Sequence, residues 1–332
     1  MAILALLIAF PVLLLGAEVF TNGVEWLGRR LNLGEGVVGS ILAAVGTALP
    51  ETLVPLVAIL AGGPSAHEVA IGAIIGAPFM LSTLAMLVTG GAALLFWKRG
   101  RRQNRLNLNE RVISRDLGFF LVSFVIALAS SYLPWREARW AAGAAVGLVY
   151  VWYLRQVFRE DEGTGEHVLP PLYFDRRSSE PGIVRVALQV TAGLVAIVGG
   201  AKLFVSGVEA LSAAWSVPPL VFALIAAPIA TELPEKFNSV VWIRSGKDTL
   251  ALGNITGAMV FQSTFPVSIG LFLTDWKLDV YAHLSGWTAI VAAGILLLAI
   301  RAKGRAPVRV LLLCGALYFP FIGYVIYRAL GQ

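Results

Sequence analysis

The chain has 332 residues, of which 58% are hydrophobic and only 14% are charged. Apolar runs long enough to cross a bilayer of about 30 Å recur along it, and this composition excludes a string of soluble domains. The formal net charge is +6, but the basic residues lie in short loops between apolar runs, which indicates a lipid bilayer rather than nucleic acid as the partner. We therefore predict an all-α polytopic membrane protein of about ten transmembrane helices.

Apolar runs between charged or Pro/Gly-rich breaks predict the spans in chain order. They cover residues 1–29, 36–61, 68–97, 116–134, 138–158, 183–212, 217–243, 248–274, 282–301 and 307–328. The stretch REDEGTGEHVLPPLYFDRRSSEPG is the only long polar segment, and it separates five spans from five. We accordingly expect a first five-helix repeat at 1–158, a cytoplasmic linker at 159–182 and a second, inverted five-helix repeat at 183–332.

The distribution of Lys and Arg predicts the orientation of these spans. The odd-numbered loops hold most of these residues, most densely in KRGRRQNRLNLNER from Lys98, and the even-numbered loops hold few. Because Lys and Arg concentrate in cytoplasmic loops, the odd-numbered loops are predicted to face the cytoplasm. The protein is then expected to be a multi-pass protein of the cell (inner) membrane with both termini outside.

Segments of the first half recur in the second. GAEVFTNGVEWL from Gly16 aligns with GAKLFVSGVEAL from Gly200, with seven identities in twelve positions at an offset of 184. TALPE from Thr47 aligns with TELPE from Thr231 at the same offset, and GAIIGA aligns with GNITGA at an offset of 181. Because each copy has an odd number of spans, the two copies are predicted to cross the membrane in opposite senses. Such inverted repeats are typical of secondary transporters, whose sites lie near the midplane and use interrupted helices.

A Leu-Pro pair followed by Glu interrupts a hydrophobic span in each half. Pro50 and Pro234 each remove a backbone donor and clash with the carbonyl one turn back. Each helix is therefore predicted to kink or break at this point and to free carbonyl oxygens. Free carbonyls beside a carboxylate are typical of a cation site.

The carboxylates themselves are the second part of this prediction. Thr47 and Glu51 are four residues apart, as are Thr231 and Glu235, so each hydroxyl shares a helical face with a carboxylate. An ionised Glu within the membrane is costly unless it is paired or metal-bound. A proline kink beside a neutral, hydrogen-bonded Glu would explain one copy, whereas the same constellation in both halves favours a cation site.

Three more residues complete the predicted site. Glu232 is an additional acid next to the second constellation, and Asn254 and Gln262 are amides eight residues apart on roughly one face of the eighth span. The predicted metal-binding set is Glu51, Glu235, Thr47, Thr231, Glu232, Asn254 and Gln262.

These motifs resemble those of the sodium/calcium exchanger family within the calcium:cation antiporter superfamily. GTALPE at Gly46 and ATELPE at Ala230 are similar to the family's GTSLPE-like turn. LGNITGAM at Leu252 is similar to the front half of its GNIIGSNIFN-like turn. The resemblance covers nearly the whole chain.

The resemblance implies that Glu51 and Glu235 are the principal cation ligands and that Thr47 and Thr231 contribute oxygens. It also implies that the first and sixth spans slide against a core of spans two, three, seven and eight. The expected function is secondary active sodium/calcium exchange by alternating access. Ca²⁺ and Na⁺ (or H⁺) are then the transported substrates, inorganic cations are the partners, and no cofactor is expected.

The sequence departs from the family motifs at several oxygen-bearing positions. Three pairs of residues replace the Ser, Ser and Asn or Asp of the motifs, namely Ala48 and Glu232, Ala77 and Ala258, and Leu81 and Gln262. Calcium takes about 6–8 oxygen ligands, so the remaining site must recruit water, backbone or the extra Glu232. Three clustered glutamates also favour proton binding by one of them, so exchange of calcium or another cation for protons is an alternative.

Two further classes of function compete with transport. A non-transporting membrane protein that retains the fold would result if these departures abolish transport. A membrane-embedded hydrolase is disfavoured because the sequence pairs no nucleophile with a base and places no His beside the acids. We therefore do not expect an enzyme.

Overall fold

The computed structural model describes residues 2–31, 49–98, 105–160 and 169–330. The first half contains the helices α1 (Ala2–Arg30), α2 (Leu49–Ala61), α3 (Ala66–Ser82), α4 (Leu84–Lys98), α5 (Glu110–Ala129) and α6 (Arg136–Glu160), with the strand β1 (Arg105–Leu106). The second half contains α7 (Ile183–Trp215), α8 (Pro219–Thr231), α9 (Leu233–Arg244), α10 (Asp248–Gln262), α11 (Phe265–Leu273), α12 (Val280–Lys303), β2 (Ala306–Pro307), α13 (Val308–Ala316) and α14 (Tyr318–Leu330). The prediction of a helical membrane protein is confirmed.

Seven helical stretches in the described part of the chain are long and apolar enough to cross a membrane. They are Ala2–Arg30, Ala66–Lys98, Glu110–Tyr132, Ile183–Trp215, Asp248–Leu273, Val280–Ala302 and Val308–Ala329. The predicted spans at 36–61, 138–158 and 217–243 correspond to α2, to α6 and to α8 with α9, which are not among these seven. The total of about ten spans therefore stays a prediction.

A Ser-Thr pair interrupts the helical stretch in two places where the sequence predicts a single span. Between α3 and α4, the hydroxyls of Ser82 and Thr83 donate to the Phe79 carbonyl at 3.1 and 2.5 Å. Between α10 and α11, the hydroxyls of Ser263 and Thr264 donate to the Val260 carbonyl at 3.1 and 2.7 Å. The hydroxyls compete for carbonyls that the helix would otherwise use, and this local bonding favours a break. The two breaks are 181 residues apart, the offset at which GAIIGA aligns with GNITGA.

The helix also breaks at the second Leu-Pro-Glu turn. Helix α8 ends at Thr231, and α9 begins at Leu233 with Pro234 in its first turn. Proline is tolerated in a first turn because the backbone donor it lacks has no partner within the helix there. The predicted break at Pro234 is confirmed. The matching turn at Pro50 opens α2, but the residues before Leu49 lie outside the described part of the chain.

Helices of the two halves pack mainly against each other. Helix α1 lies along α7, α3 against α8, α4 against α13, and α5 against α10 and α12. The α3–α4 stretch is central in the bundle. Of the residues in its most apolar 18-residue segment, 83% are buried, against 28% in the corresponding segments of α1 and α7. The pair α1 and α7 therefore lies at the edge of the bundle, with much of its surface available to lipid.

Small residues let α1 and α7 approach closely. A Cβ atom added at Gly193 of α7 would lie 2.7 Å from the Cα of Phe20, and one added at Gly200 would lie 2.9 Å from Cγ of Leu13. Close approach through small residues is a principal source of helix association in membranes, where the hydrophobic effect between helices is weak.

The second part of the predicted linker bridges the ends of α1 and α7. Leu172 is fully buried in a cluster with Trp26 of α1 and Val186 of α7. The Trp26 indole donates to the Pro170 carbonyl at 2.9 Å, and the Tyr173 hydroxyl donates to Oε1 of Glu18 at 2.6 Å. We call residues 169–182 the linker strap.

Beneath the strap, two buried amides join the helices directly. Gln189 of α7 donates to Oδ1 of Asn22 at 2.8 Å and to the Val19 carbonyl at 3.0 Å. Its own oxygen accepts from the Phe174 backbone at 2.9 Å. Each amide is thus used by both a helix and the strap.

Strand β1 lies in the third loop and strand β2 at the end of the ninth. Together they form a short antiparallel ladder that pairs Arg105 with Pro307 and Leu106 with Ala306. Both loops are among those predicted to be cytoplasmic.

Candidate cation site

Glu232 and Gln262 form the best-defined contact among the predicted site residues. Glu232 lies at the break between α8 and α9, and Gln262 ends α10, just before the break at Ser263. The Gln262 amide nitrogen donates to Oε1 of Glu232 at 2.9 Å, and both side chains are only 2% exposed. Oε1 of Gln262 is buried without a hydrogen-bond partner among the described residues. The pair therefore presents oxygen atoms at the meeting point of two interrupted helices.

Glu51 lies in the first turn of α2 and is buried, with 6% of its surface exposed. Helix α2 packs against α3, α7 and α8, so this carboxylate belongs to a helix that contacts both α7 and the helix ending at Thr231. A carboxylate in the first turn also lies at the positive end of the helix dipole.

The other described candidates take less direct positions. Thr231 is buried, and its hydroxyl donates to the Ala227 carbonyl of its own helix at 3.1 Å. Asn254 is half-buried in the middle of α10. Neither residue is in hydrogen-bond contact with Glu232 or Gln262 in the described part of the chain.

Two predicted ligands cannot be placed. Thr47 lies outside the described residues, and Glu235 lies in α9 with its side chain outside the described part. Among the described side chains, no three acids, histidines or cysteines form a group able to hold a metal ion. The predicted ligand set thus remains a prediction.

The glycines of the GAIIGA segment bring α3 against the backbone of α8. A Cβ added at Gly76 would lie 2.8 Å from the Cα of Leu224, and one at Gly72 would lie 3.0 Å from Cβ of Ala223. The corresponding glycines of α10 behave differently, since a Cβ at Gly253 or Gly257 would meet only ordinary contacts at 3.8 and 3.7 Å. Only the first glycine segment therefore places a helix closely against the one that carries Thr231.

A second buried polar cluster lies outside the predicted site. Asp116 of α5 is 2% exposed, and its Oδ2 accepts from the Thr256 hydroxyl of α10 at 2.8 Å. Its Oδ1 accepts from the Tyr153 hydroxyl of α6 at 3.2 Å and from Arg115 at 3.2 Å. The signal in the sequence is an acid at the first position of the predicted span at 116–134.

Comparison with known proteins identifies the family. A family model described as sodium/calcium exchanger protein matches residues 1–158 and 186–329, which is most of the chain. The chain belongs to the sodium/calcium exchanger protein family. The resemblance of the motifs is thus confirmed over both halves.

Curated relatives of this exchanger-family chain are distant but nearly full-length. It is 25% identical over 303 residues to the putative antiporter CaxA of Alkalimonas amylolytica, covering 90% of this chain and 88% of that protein. It is 21% identical over 293 residues to the inner membrane protein YrbG of Escherichia coli (strain K12), covering 88% and 86%.

Solved structures show the same fold. The crystal structure of the H⁺/Ca²⁺ exchanger CAX matches with a TM-score of 0.71 and 16% identity, over 98% of this chain and 82% of that one. A structure of the sodium-calcium exchanger NCX_Mj matches with a TM-score of 0.57 and 20% identity, over 97% and 99%. This exchanger-family chain is therefore a multi-pass membrane protein with an exchanger fold.

Proposed function

We propose that this protein is a secondary active antiporter of the cell membrane that exchanges calcium for sodium by alternating access. The observation that carries the proposal is the buried contact between Glu232 and Gln262 at the ends of two interrupted helices. Membership of the exchanger family and the buried Glu51 support it. The proposed ligands are Glu51, Glu235 and Glu232, with Thr47, Thr231, Asn254 and Gln262 as further oxygen donors.

The proposed architecture is two inverted five-helix repeats, residues 1–158 and 183–332, joined by a cytoplasmic linker. Support comes from the Ser-Thr breaks, which recur with the same hydrogen bonds at the repeat offset of 181. Antiparallel copies bring one interrupted helix from each side to the midplane, where half-helix ends and freed carbonyls hold the ion.

In the proposed transport cycle, α1 and α7 slide together across the rest of the bundle. Their position at the edge supports this, because sliding there displaces lipid rather than packed protein. Carboxylates neutralise the cation while it is away from water, and the ion in turn offsets the cost of buried acids. Each substrate can therefore leave only when another cation or a proton takes its place.

Exchange of calcium for protons is the second candidate. Glu232 stands where the family motif has Ser, so this chain has one acid more than the motif. Glu232 and Glu51 are both buried, and a buried carboxylate needs a counter-charge that a proton can supply as well as a metal cation.

The test is uptake of radioactive calcium into proteoliposomes that contain the purified protein. Uptake is driven in one series by an outward sodium gradient and in another by an outward proton gradient. Sodium-driven uptake supports the proposal, and uptake driven by protons alone supports the second candidate. If neither gradient drives uptake, calcium exchange is wrong.

Matched variants connect flux to the proposed ligands. Glu51→Gln and Glu235→Gln keep the size of the side chain and remove the charge, so each is expected to abolish flux in a protein that still purifies as a folded species. Glu137→Gln makes the same change on the exposed start of α6 and should leave flux unchanged. Normal flux in both site variants would show that neither glutamate is needed for transport and would contradict the proposed ligand set.

A further inference from the structure

The Asp116 cluster joins three helices inside the bundle. The carboxylate belongs to α5, Tyr153 to α6 and Thr256 to α10. The two hydroxyls lie 3.2 and 2.8 Å from its oxygens, and the residues are 2%, 8% and 0% exposed.

The chemistry of the cluster is that of a brace and not of a cation site. The hydroxyls of Thr256 and Tyr153 and the guanidinium of Arg115 all donate to the carboxylate. Hydrogen bonds from several donors offset the cost of burying this carboxyl group, and removing one partner of a buried polar group is costly. Because its lone pairs are directed at donors, Asp116 needs no metal ion.

The bond to Asp116 fixes the rotation of α10. At about 100° per residue, Thr256 lies about 200° around the helix from Asn254 and about 120° from Gln262. It therefore holds α10 by the side that faces away from both candidate ligands. Gly257, next in sequence, also lies on the side of the helix that faces Tyr153, since an added Cβ would lie 3.7 Å from the phenol oxygen.

A second attachment fixes the position of α10 along its axis. At the helix start, Oδ2 of Asp248 accepts from the Asn107 backbone and the Thr249 hydroxyl accepts from the Asn109 backbone, both at 2.9 Å. Asn109 is itself the residue that caps α5. The two attachments are eight residues apart, or about 12 Å along the axis, so together they prevent both rotation and sliding against α5.

The equivalent position in the first half has no such bond. In the alignment of GAIIGA with GNITGA, Thr256 corresponds to Ile75, which is fully buried among apolar side chains. The polar brace therefore distinguishes α10, the helix whose end carries the Gln262 contact to Glu232.

We propose that Asp116 is a positioning residue for cation transport, which acts through Thr256 to hold α10, and with it Asn254 and Gln262, in register with Glu232. This inference rests on the proposed function. Asp116 itself does not touch the transported ion.

The test compares Thr256→Val, Thr256→Ser and Asp116→Asn in the proteoliposome assay. Thr256→Val removes one hydrogen bond to a charged group at nearly constant volume, so the KM for calcium is expected to rise about tenfold. Thr256→Ser retains the hydroxyl and should restore the KM, whereas Asp116→Asn should resemble Thr256→Val. The control Thr288→Val removes an exposed hydroxyl bond to the Leu284 carbonyl of the same helix, α12, and should change nothing.

A second measurement does not require transport. Asn254→Cys in a Cys314→Ser background places a single thiol on the half-buried part of α10, and its rate of reaction with a water-soluble maleimide reports the rotation of that helix. We expect Thr256→Val to change the rate at least threefold and Thr288→Val to leave it unchanged.

The outcomes separate the two hypotheses. An unchanged KM and thiol reactivity in Thr256→Val, with only a lower melting temperature, would show that the brace is merely structural and overturn this inference. If wild-type protein carries no calcium, the proposed function fails, and the thiol measurement still decides whether Asp116 positions α10.

Discussion

At the scale of single residues, the amide of Gln262 is the feature that separates the two halves of the candidate site. The equivalent residue of the first half is Leu81, which is fully buried and apolar. Gln262→Leu is therefore expected to remove the donor to Glu232 and leave that buried acid with one partner fewer. The loss of a hydrogen bond to a charged group costs about 1.5–3 kcal/mol, so calcium uptake at low concentration should fall about tenfold or more.

Gln262→Met also lacks the donor but keeps the length of the side chain, so it separates the loss of the hydrogen bond from a change in length. If both variants transport normally, the contact between Gln262 and Glu232 has no role in transport.

Gly76 provides a second test at this scale, directed at packing. A Cβ at this position would overlap the backbone of Leu224, so Gly76→Ala must push α3 away from α8 at a cost of about 1–3 kcal/mol. We expect a lower melting temperature and strongly reduced flux. Gly91→Ala in α4 adds the same methyl group where no atom lies within 4 Å, and should be neutral. Equal melting temperatures for the two variants would contradict the close approach.

The sequence predicted the chemical character of these residues better than their contacts. Glu51 and Glu232 were predicted as ligands because an acid within an apolar run can be recognised from the sequence alone. Asp116 was missed because its partners, Tyr153 and Thr256, are 37 and 140 residues away in sequence. Pairing over such distances depends on packing between helices, which no local pattern records.

At the scale of elements, the pair α1 and α7 depends on its small residues. Gly193→Ala would place a methyl group 2.7 Å from the Phe20 backbone and should separate the helices, which lowers the melting temperature. The neighbouring Gly199 faces open space, so Gly199→Ala should leave stability unchanged or raise it slightly through better helix propensity. Thermal unfolding in detergent measures both, and a Gly193→Ala protein as stable as the wild type would contradict the packing.

The elements that the sequence predicted best are those whose limits coincide with charged loops. The predicted spans at 1–29, 183–212 and 282–301 agree with α1, α7 and α12 to within a few residues. The breaks at Ser82 and Ser263 were not predicted. Pro266, in the first turn of α11, is a sequence signal for the second break, whereas no proline or glycine follows Ser82 directly. At the first break, the side-chain bonds to the preceding turn are the visible cause.

At the scale of the whole molecule, the linker strap holds one end of the α1 and α7 pair. Trp26→Phe would remove the indole donor to Pro170, and a hydrogen bond of about 1 kcal/mol should make detachment of the strap about fivefold more frequent. The exposed Arg176 and Arg177 in the strap allow trypsin to report detachment as the rate of cleavage. Trp140→Phe removes a similar indole bond, to the Phe272 carbonyl, far from the strap and should not affect cleavage. Identical cleavage rates in all three proteins would contradict this role of Trp26.

The hydrogen bond between Tyr173 of the strap and Glu18 leads to a prediction for alkaline pH. The hydrogen bond to Glu18 raises the pKa of the Tyr173 phenol above its usual value. The folded protein therefore holds this proton more tightly than the unfolded chain, so the contribution of the bond is complete below about pH 10 and is lost as the pH rises through the higher folded pKa. Tyr173→Phe should accordingly speed trypsin cleavage at neutral pH, and the difference from wild type should shrink only at strongly alkaline pH. A difference that disappears by pH 8 would contradict this.

The packing between halves has a consequence for how the protein is made. Helix α1 is complete at Arg30, but the helix it packs against ends only at Trp215. At a synthesis rate of about 5–20 residues per second, α1 waits in the bilayer for roughly 10–40 s before its partner exists. During that time, lipid or the insertion machinery covers the glycine-lined face of α1. The first half can complete its packing only after the second half has been inserted beside it.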